Sequence, residues 1–292
     1  MPKSIFISII GRPNVGKSTL INAIVDKKIA ITSPKPQTTR HNILGVITKN
    51  DTQYAFIDTP GIHKSNNAIG RKMNELAINS IDDQDCLLYL VDKPYSKEDD
   101  LLLDIIKKCT IPVILVITKI DKLPSKSSID DIIISFLPFK NWHAVVPISS
   151  FLKTHFDFLF ETLDEYSVDD TFHFANDYLT DQSDNDLIKE YIREKILFYI
   201  NEEVPHGVFV VVESFNVNRV YKTIDISCLI IVERDSQKGI LIGKNGTMLK
   251  KIGSEARLEI NKLLKAKIHL ELYVKVEKNW RQNPNVLKKY AS

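Results

Sequence analysis

Residues Gly11 to Ser18 have the types and spacing that a phosphate-binding loop needs. They read Gly-Arg-Pro-Asn-Val-Gly-Lys-Ser and fit the pattern G-x-x-x-x-G-K-[ST]. Glycines let the backbone wrap phosphate groups, and the N–H groups at a helix N-terminus bind their charge. Lys17 is expected to reach the β- and γ-phosphates, and Ser18 to ligate Mg²⁺. The residues predicted to hold the phosphates are Gly11, Arg12, Pro13, Asn14, Val15, Gly16, Lys17, Ser18 and Thr19.

A second motif, Asp58-Thr59-Pro60-Gly61, follows a short apolar run. An aspartate there can hold Mg²⁺ through a water molecule, and the Gly61 N–H can sense the γ-phosphate. Between the two motifs, the segment Pro36–His41 contains two adjacent threonines. One of them, Thr38 or Thr39, can complete the Mg²⁺ coordination and order its loop only when a γ-phosphate is bound. The predicted metal ligands are therefore Ser18, Asp58 and one of these threonines.

Two further motifs point to the base. The run Thr118-Lys119-Ile120-Asp121 follows an apolar segment, and a carboxylate there can accept hydrogen bonds from the guanine N1 and N2 groups. Adenine lacks that donor pair, so Asp121 is expected to select guanine, while the stem of Lys119 packs along the base. Ser149 and Ser150 end the next apolar run, where a small residue lets a backbone N–H reach the guanine O6. Four motifs in this order predict a site for GTP or GDP.

A different pattern lies near the C-terminus. The run Ile240–Gly246 contains an Ile-Gly-x-x-Gly core followed by a basic helical segment. KH modules use such a loop to clamp about four nucleotides of single-stranded nucleic acid. The residues predicted to bind RNA are Ile242, Gly243, Lys244, Asn245, Gly246, Lys250 and Lys251. Trp280 lies between cations and either stacks on a base or anchors the terminal segment on the core, and we favour the anchor.

These motifs need two different frameworks to position them. In the first part, short apolar runs alternate with amphipathic stretches, which predicts a parallel sheet wrapped by helices. The predicted strands are Ser4–Ile10, Tyr54–Ile57, Cys86–Val91, Val113–Ile117 and Ala144–Ile148, and helices are predicted at Lys17–Val25 and Asp99–Cys109. The second part predicts a smaller α+β domain: helix Asp186–Ile200, strands Val208–Phe215 and Thr223–Val232, a short helix near Gln237, helix Thr247–Leu264 and strand Ile268–Val276. The predicted domains are residues 1–168 and 186–292, joined by a packed, acidic linker at 169–185.

Composition supports this division. The chain has 292 residues and a net charge of +2, which suits two globular domains. Residues 1–199 carry a net charge of −4 and residues 200–292 carry +6, so the second part is the one expected to meet a polyanion. The three cysteines form no metal or disulfide pattern and are typical of a reducing cytosol. No apolar run is long enough to span a bilayer.

A phosphate-loop GTPase followed directly by a KH domain resembles the Era family of ribosome-assembly GTPases. The resemblance extends beyond the generic motifs to Pro36–His41, Ile188–Leu197, Leu229–Arg234, Ile252–Arg257 and His269–Val276. It implies a P-loop GTPase domain with a mostly parallel sheet and a type II KH domain. It also implies GTP hydrolysis, binding to the 3′ end of small-subunit (16S) ribosomal RNA, and maturation of that subunit from its 30S precursor. The resemblance further implies a cytoplasmic protein, expected to be a monomer, that associates peripherally with the inner membrane.

Related GTPases also suggest how hydrolysis works here. Thr39 precedes an arginine as in those proteins and is therefore favoured over Thr38 as the Mg²⁺ ligand. Many signalling GTPases carry a water-orienting glutamine where this chain has Ile62, which predicts slow basal hydrolysis. In related GTPases an asparagine at the position of Asn14 helps hold K⁺, which motivates the hypothesis that K⁺ stimulates turnover. The predicted catalytic residues are Asn14, Lys17, Thr39 and Gly61. The alternatives are an RNA-binding scaffold with negligible turnover and a GTPase acting mainly at a membrane.

Overall fold

The computed structural model describes residues 2–35, 38–61, 78, 81, 83–169, 171–200, 204–218, 220, 223–278 and 280. The chain forms two compact units, Met1–Asp181 and Gln182–Ser292. In the part of the chain that is described, no helix has the length and hydropathy needed to cross a membrane.

The first unit is built on a mostly parallel sheet. Its strands are β1 (Lys3–Gly11), β2 (Ile43–Lys49), β3 (Thr52–Asp58), β4 (Cys86–Val91), β5 (Val113–Ile117), β6 (Ala144–Pro147) and β7 (Val168–Asp169). Their order is β2-β3-β1-β4-β5-β6, with β7 paired to β1. Only β2 and β7 run antiparallel to their neighbours. Every residue of β4 and β5 is buried, as expected for central strands covered on both faces.

Helices cover both faces of this sheet, as the sequence predicted. Within the described residues, these helices are α1 (Lys17–Val25), α2 (Asp100–Lys108), α3 (Ser127–Phe136) and α4 (Phe156–Asp164). Residues of β4 alternate between the two cores: Leu88 packs with α1 and α4, whereas Tyr89 packs with α2 and α3. The antiparallel edge strand β2 was not among the predicted strands. It contains Gly45 and is only partly buried, so its apolar signal is weak.

The second unit has its own three-stranded sheet. Its elements are α5 (Asp184–Tyr199), β8 (Phe209–Asn218), β9 (Thr223–Val232), α6 (Asp235–Ile242), α7 (Thr247–Leu264) and β10 (Lys267–Val276). The strand order is β10-β9-β8, with β9 parallel to β10 and antiparallel to β8. Trp280 is buried against Phe209, Leu229 and Ile231. This packing matches the predicted anchor and leaves the indole no exposed face for a base.

The predicted linker at 169–185 differs from what the structure contains. Residue 169 still belongs to β7, and the segment up to Asp181 lies on the first unit. The buried amide of Gln53 accepts hydrogen bonds from the N–H groups of His173 and Phe174, and Thr180 pairs with Gly45 of β2. Polar composition suggested a junction here, but main-chain groups at 173, 174, 179 and 180 are paired with residues of β2 and β3. The compact units therefore divide at Asp181.

Candidate nucleotide site and nucleic-acid interface

The phosphate loop connects the end of β1 to the start of α1. Asn14 and Gly16 both have positive φ, 64° and 114°, which curls the backbone before Lys17, the first residue of the helix. A Cβ at Gly61 would lie only 3.0 Å from the backbone of Pro13, so the Gly61 backbone approaches this loop closely. The loop and the residue predicted to sense the γ-phosphate therefore lie side by side, at the carboxyl edge of the sheet.

Lys17 is buried beneath this loop. Its ammonium donates hydrogen bonds to the carbonyl oxygens of Gly11 and Arg12, each at 3.2 Å. Burial lowers the pKa of Lys17 to about 8, although the Asp58 carboxylate opposes that shift. In the described part of the chain, the hydrogen bonds of this ammonium go to carbonyl oxygens and not to a carboxylate, and phosphate oxygens would supply a matching anion.

Three predicted metal ligands converge. The Ser18 hydroxyl donates to Asp58 Oδ2 at 2.7 Å and lies 2.9 Å from the Thr39 hydroxyl, which is itself 3.4 Å from Asp58 Oδ2. Thr38 is engaged elsewhere, because its hydroxyl donates to the carbonyl of Lys35 at 2.7 Å. The geometry thus favours Thr39, the threonine that the resemblance to related GTPases also favoured.

Asp58 is the part of this cluster that calls for a cation. It is fully buried, and its Oδ1 has no hydrogen-bond partner among the residues that the structure describes. Burial raises the pKa of its carboxyl group, although Lys17, Ser18 and Thr39 oppose the shift. A buried carboxylate with one unpaired oxygen, beside two hydroxyls, is the donor set that Mg²⁺ prefers. These residues therefore fit a magnesium ion.

The base motifs also meet. Ser149 is fully buried and donates a hydrogen bond to Asp121 Oδ1 at 2.6 Å, which orients the carboxylate. The Ser149 N–H is directed to the carbonyl of Thr154 at 3.4 Å, so the Ser150 N–H is the one available for a base. The Thr118 hydroxyl donates to the carbonyls of Val15 and Val91 at 2.6 and 3.2 Å. Threonine thus ties the phosphate loop to β4.

Three predicted nucleotide contacts do not come from side chains. The Arg12 side chain is buried and paired with Asp99, with Nε to Oδ1 at 3.1 Å, rather than lining the phosphate cleft. The Thr59 hydroxyl donates to the Ile9 carbonyl at 2.7 Å and links two strands. Val15 is buried in the core beneath the loop. Only the backbone of these residues can face a phosphate. Ile62, Pro36 and Gln37, which the sequence interpretation also used, lie outside the described residues.

The Gly-x-x-Gly loop joins α6 to α7 in a single tight turn. Gly243, Asn245 and Gly246 all have positive φ, at 71°, 52° and 75°. Lys244 and Asn245 are exposed, while Ile242 is half-buried. A Cβ at Gly243 would lie 2.8 Å from Cβ of Met248, whereas one at Gly246 would meet nothing within 4 Å. The first glycine is therefore required by packing, and the second leaves open space next to the loop.

A groove runs from this loop along one side of the second unit. It is lined by Gly246, Leu249, Lys250, Gly253, Ser254, Arg257, His269, Leu270 and Leu272. It joins an apolar floor to two cations, a combination that suits unpaired bases and phosphates. Lys250, one of the residues predicted to bind RNA, lines it. Lys251 does not: its ammonium lies 4.0 Å from the centre of the Tyr199 ring of α5.

Several groove residues escaped sequence reasoning. Gly253 brings α7 close to β10, because a Cβ there would lie 3.2 Å from Leu272. Arg257 and His269 are separated by a turn and belong to different elements, so their spacing gave no signal. The helical periodicity of 3.6 residues does place Lys250, Gly253, Ser254 and Arg257 on one face of α7, and that pattern could have identified them.

Comparisons with known proteins agree with this two-part layout. Residues 6–119 match the family model described as 50S ribosome-binding GTPase, and residues 203–281 match the KH domain family. GTPase Era of Caldanaerobacter subterraneus subsp. tengcongensis is 44% identical over 286 residues, which is 97% of this chain and 96% of that protein. GTPase Era of Clostridioides difficile (strain 630) is 43% identical over 293 residues, covering 100% and 99% of the two chains.

Two solved structures of Era also match this chain over nearly its full length. A crystal structure of Era in complex with MgGDPNP and nucleotides 1506–1542 of 16S ribosomal RNA is 34% identical, with a TM-score of 0.93 and 99% coverage of each chain. An Aquifex aeolicus Era variant bound to GDP and AlF4⁻ is 35% identical, with a TM-score of 0.90 over 99% of this chain and 98% of that one.

Proposed function

Because the chain belongs to the Era family of GTPases, we propose that it is a GTP-driven switch that binds the 3′ end of 16S ribosomal RNA during maturation of the small ribosomal subunit. The observation that carries this proposal is the pairing, in one chain, of the Ser18–Thr39–Asp58 cluster with the groove beside the Gly-x-x-Gly loop. The solved relative bound to MgGDPNP and to 16S ribosomal RNA supports it.

At the phosphate end, the roles follow from burial and charge. Ser18, Thr39 and Asp58 would hold Mg²⁺, which neutralises negative charge on the phosphates when it is bound. Lys17 supplies a second positive charge under the loop, and the N–H groups of Gly16 and its neighbours are aimed by the curled backbone. Water is excluded from Lys17 and Asp58 by burial, so their charges act in a low-dielectric surrounding.

At the base end, Asp121 selects guanine and Ser150 supplies the N–H for O6. The test is to change Asp121 to asparagine, whose amide donates where the carboxylate accepted. Because xanthine carries a carbonyl in place of the guanine amino group, Asp121→Asn should lose GDP affinity and gain affinity for xanthosine diphosphate. The matched control is Asp130→Asn, since Asp130 lies on α3 outside the nucleotide motifs. If Asp121→Asn leaves GDP binding unchanged, the base assignment is wrong.

Hydrolysis is proposed to need help from K⁺ held at Asn14. The Asn14 amide donates to the carbonyl of Pro34 at 2.5 Å, so its nitrogen is engaged with the following loop and its oxygen is available for a cation. A cation at this loop adds positive charge beside the phosphates, where charge develops during transfer. Phosphate release should be several-fold faster in K⁺ than in Na⁺, and Asn14→Ala should remove that difference. Equal turnover in the two salts contradicts this part of the proposal.

In the second unit, the Gly-x-x-Gly loop would grip the RNA backbone while the groove takes unpaired bases. Lys244 and Lys250 supply charge to phosphates, and Leu249 and Leu272 supply apolar contact. GTP and Mg²⁺ would order the Thr39 loop and Gly61, and hydrolysis would reset them. A non-hydrolysing RNA scaffold is distinguished by phosphate release, which the full chain should show with GTP and which RNA should stimulate.

The cellular location, oligomeric state and membrane contact of the protein are also proposed. We place the protein in the cytoplasm, as a monomer acting on the 30S precursor, with peripheral contact at the inner membrane. The net charge of +6 over residues 200–292 suits either RNA or anionic lipid, so the membrane contact needs its own test. Flotation with anionic vesicles, set against binding to single-stranded RNA, separates the two. Failure to float contradicts the membrane contact and leaves the RNA role intact.

A further inference from the structure

An ionic cluster, buried at Arg12 and Asp99, connects the phosphate loop to the segment that follows β4. The Arg12 side chain is 8% exposed and pairs through Nε with Asp99 at 3.1 Å and through NH1 with Glu98 at 3.1 Å. Asp99 is fully buried and also accepts a hydrogen bond from the Tyr89 hydroxyl at 3.0 Å. The second residue of the loop is therefore fixed to the segment that follows β4.

Asp92, the residue directly after β4, connects this cluster to the base site. Its Oδ2 lies 2.7 Å from the Lys119 ammonium, and its Oδ1 lies 3.8 Å from NH2 of Arg12. The same Lys119 ammonium donates to the backbone carbonyl of Asn14 at 2.6 Å. Lys119 also has a positive φ of 58°, so its backbone is held in a conformation that non-glycine residues rarely adopt. Two acceptors on different loops thus fix one end of this side chain.

We propose that Asp92 is a positioning residue for guanine-nucleotide binding, acting through Lys119. This inference rests on the proposed function, in which the stem of Lys119 packs along the base. Without the Asp92 carboxylate, the ammonium would keep only the Asn14 carbonyl, and the stem would regain rotamers that do not lie along the base. Arg12 would keep its two shorter ion pairs, so the phosphate loop itself should change little. The loss of nucleotide affinity should therefore come from weaker binding of the base.

The first experiment measures dissociation of a fluorescent GDP analogue from the full chain. Asp92→Asn should release it about tenfold faster, as expected for loss of a partly exposed, charge-assisted hydrogen bond. The matched control is Glu98→Gln, which removes another carboxylate paired with Arg12 but has no contact with Lys119. It should change the rate by less than about twofold. Equal rates for Asp92→Asn and the unmodified chain overturn the inference while the proposed function stands.

A double-mutant cycle separates positioning from a merely structural role. If Asp92 acts through Lys119, Asp92→Asn should have no further effect on dissociation in a Lys119→Met background. If the two changes multiply instead, and the melting temperature of the nucleotide-free protein falls, Asp92 is a structural ion pair and the inference is overturned. If the unmodified chain itself does not bind GDP, the proposed function has failed and the inference fails with it.

Discussion

The two glycines of the Gly-x-x-Gly loop should respond very differently to the same substitution. At Gly243, φ of 71° and ψ of 176° belong to a region open essentially to glycine alone, which costs another residue about 1–3 kcal/mol. A Cβ there would also meet Cβ of Met248 at 2.8 Å and the Met248 backbone nitrogen at 3.1 Å. A shorter side chain at position 248 would not remove the contact with the backbone nitrogen. Overpacking therefore adds about 1–3 kcal/mol to the cost. Gly243→Ala should therefore cost about 4 kcal/mol of unfolding free energy.

Gly246 is the matched control within the same turn. Its φ of 75° and ψ of 8° are left-handed, which costs alanine about 1–2 kcal/mol. Apart from its chain neighbours, no described residue comes within 4 Å of an added methyl group, and Gly246 lines the groove. Gly246→Ala should thus lose far less stability than Gly243→Ala and should weaken RNA binding instead.

The assay can read the second unit alone. The chain has two tryptophans, and only Trp280 belongs to that unit, where it is buried. In a Trp142→Phe background, urea unfolding followed by tryptophan emission reports this unit. Equal unfolding free energies for Gly243→Ala and Gly246→Ala would refute the packing argument. Unchanged RNA affinity for Gly246→Ala would refute the placement of the RNA groove.

Three further outcomes follow from the site. Since the pKa of Lys17 is about 8 without a ligand and a bound phosphate favours the charged form, GDP binding should take up a proton above that pH. The affinity for GDP should be independent of pH below about pH 8 and then fall by up to tenfold per pH unit. A GDP affinity, measured by fluorescence, that does not change from about pH 7 to 9 would contradict this prediction. In filter-binding assays, Lys250→Ala should weaken RNA binding and reduce the slope of log affinity against log salt concentration by about one. Lys251→Ala should change RNA affinity little, because its ammonium lies on the Tyr199 ring. Equal losses of affinity for the two variants would contradict the assigned orientations of the two lysines. Thr118→Val removes the hydroxyl that donates to the Val15 carbonyl, so the unfolding free energy of the GDP-bound protein in urea should fall by about 1–3 kcal/mol. Thr118→Asn should restore it. An unchanged unfolding midpoint for the valine variant would count against the role of this hydrogen bond in linking the phosphate loop to β4.

The sequence predicted the elements whose signal is local. Strands β4 and β5 are continuous apolar runs, and their bounds agree with the prediction, as do those of α1 and α7. The edge strand β2 was missed because one side of it is only half-buried and it contains a glycine. The segment up to Asp181 was taken for a linker because its attachment depends on the buried side chain of Gln53, more than a hundred residues earlier.

Prediction of the nucleotide and RNA sites was likewise limited to features with a local sequence signal. Motif order predicted that Ser18, Asp58 and either Thr38 or Thr39 would meet at the carboxyl edge of the sheet, and the resemblance to related GTPases favoured Thr39. It could not predict that Arg12 turns away, since its carboxylate partners come from a segment about eighty residues later. Nor could it separate Lys250 from Lys251. Adjacent residues on a helix differ by about 100° in direction, and only the position of α5 decides which one meets an aromatic ring.

A GTP-driven switch should bind RNA with an affinity that depends on which nucleotide it holds. The most direct measurement is the affinity of the full chain for a single-stranded RNA with the sequence of the 3′ end of 16S ribosomal RNA, at fixed salt and Mg²⁺. Affinity should be highest with a non-hydrolysable GTP analogue and lower with GDP, and Ser18→Ala should remove the difference. Identical affinities with the analogue, with GDP and without nucleotide would contradict the account.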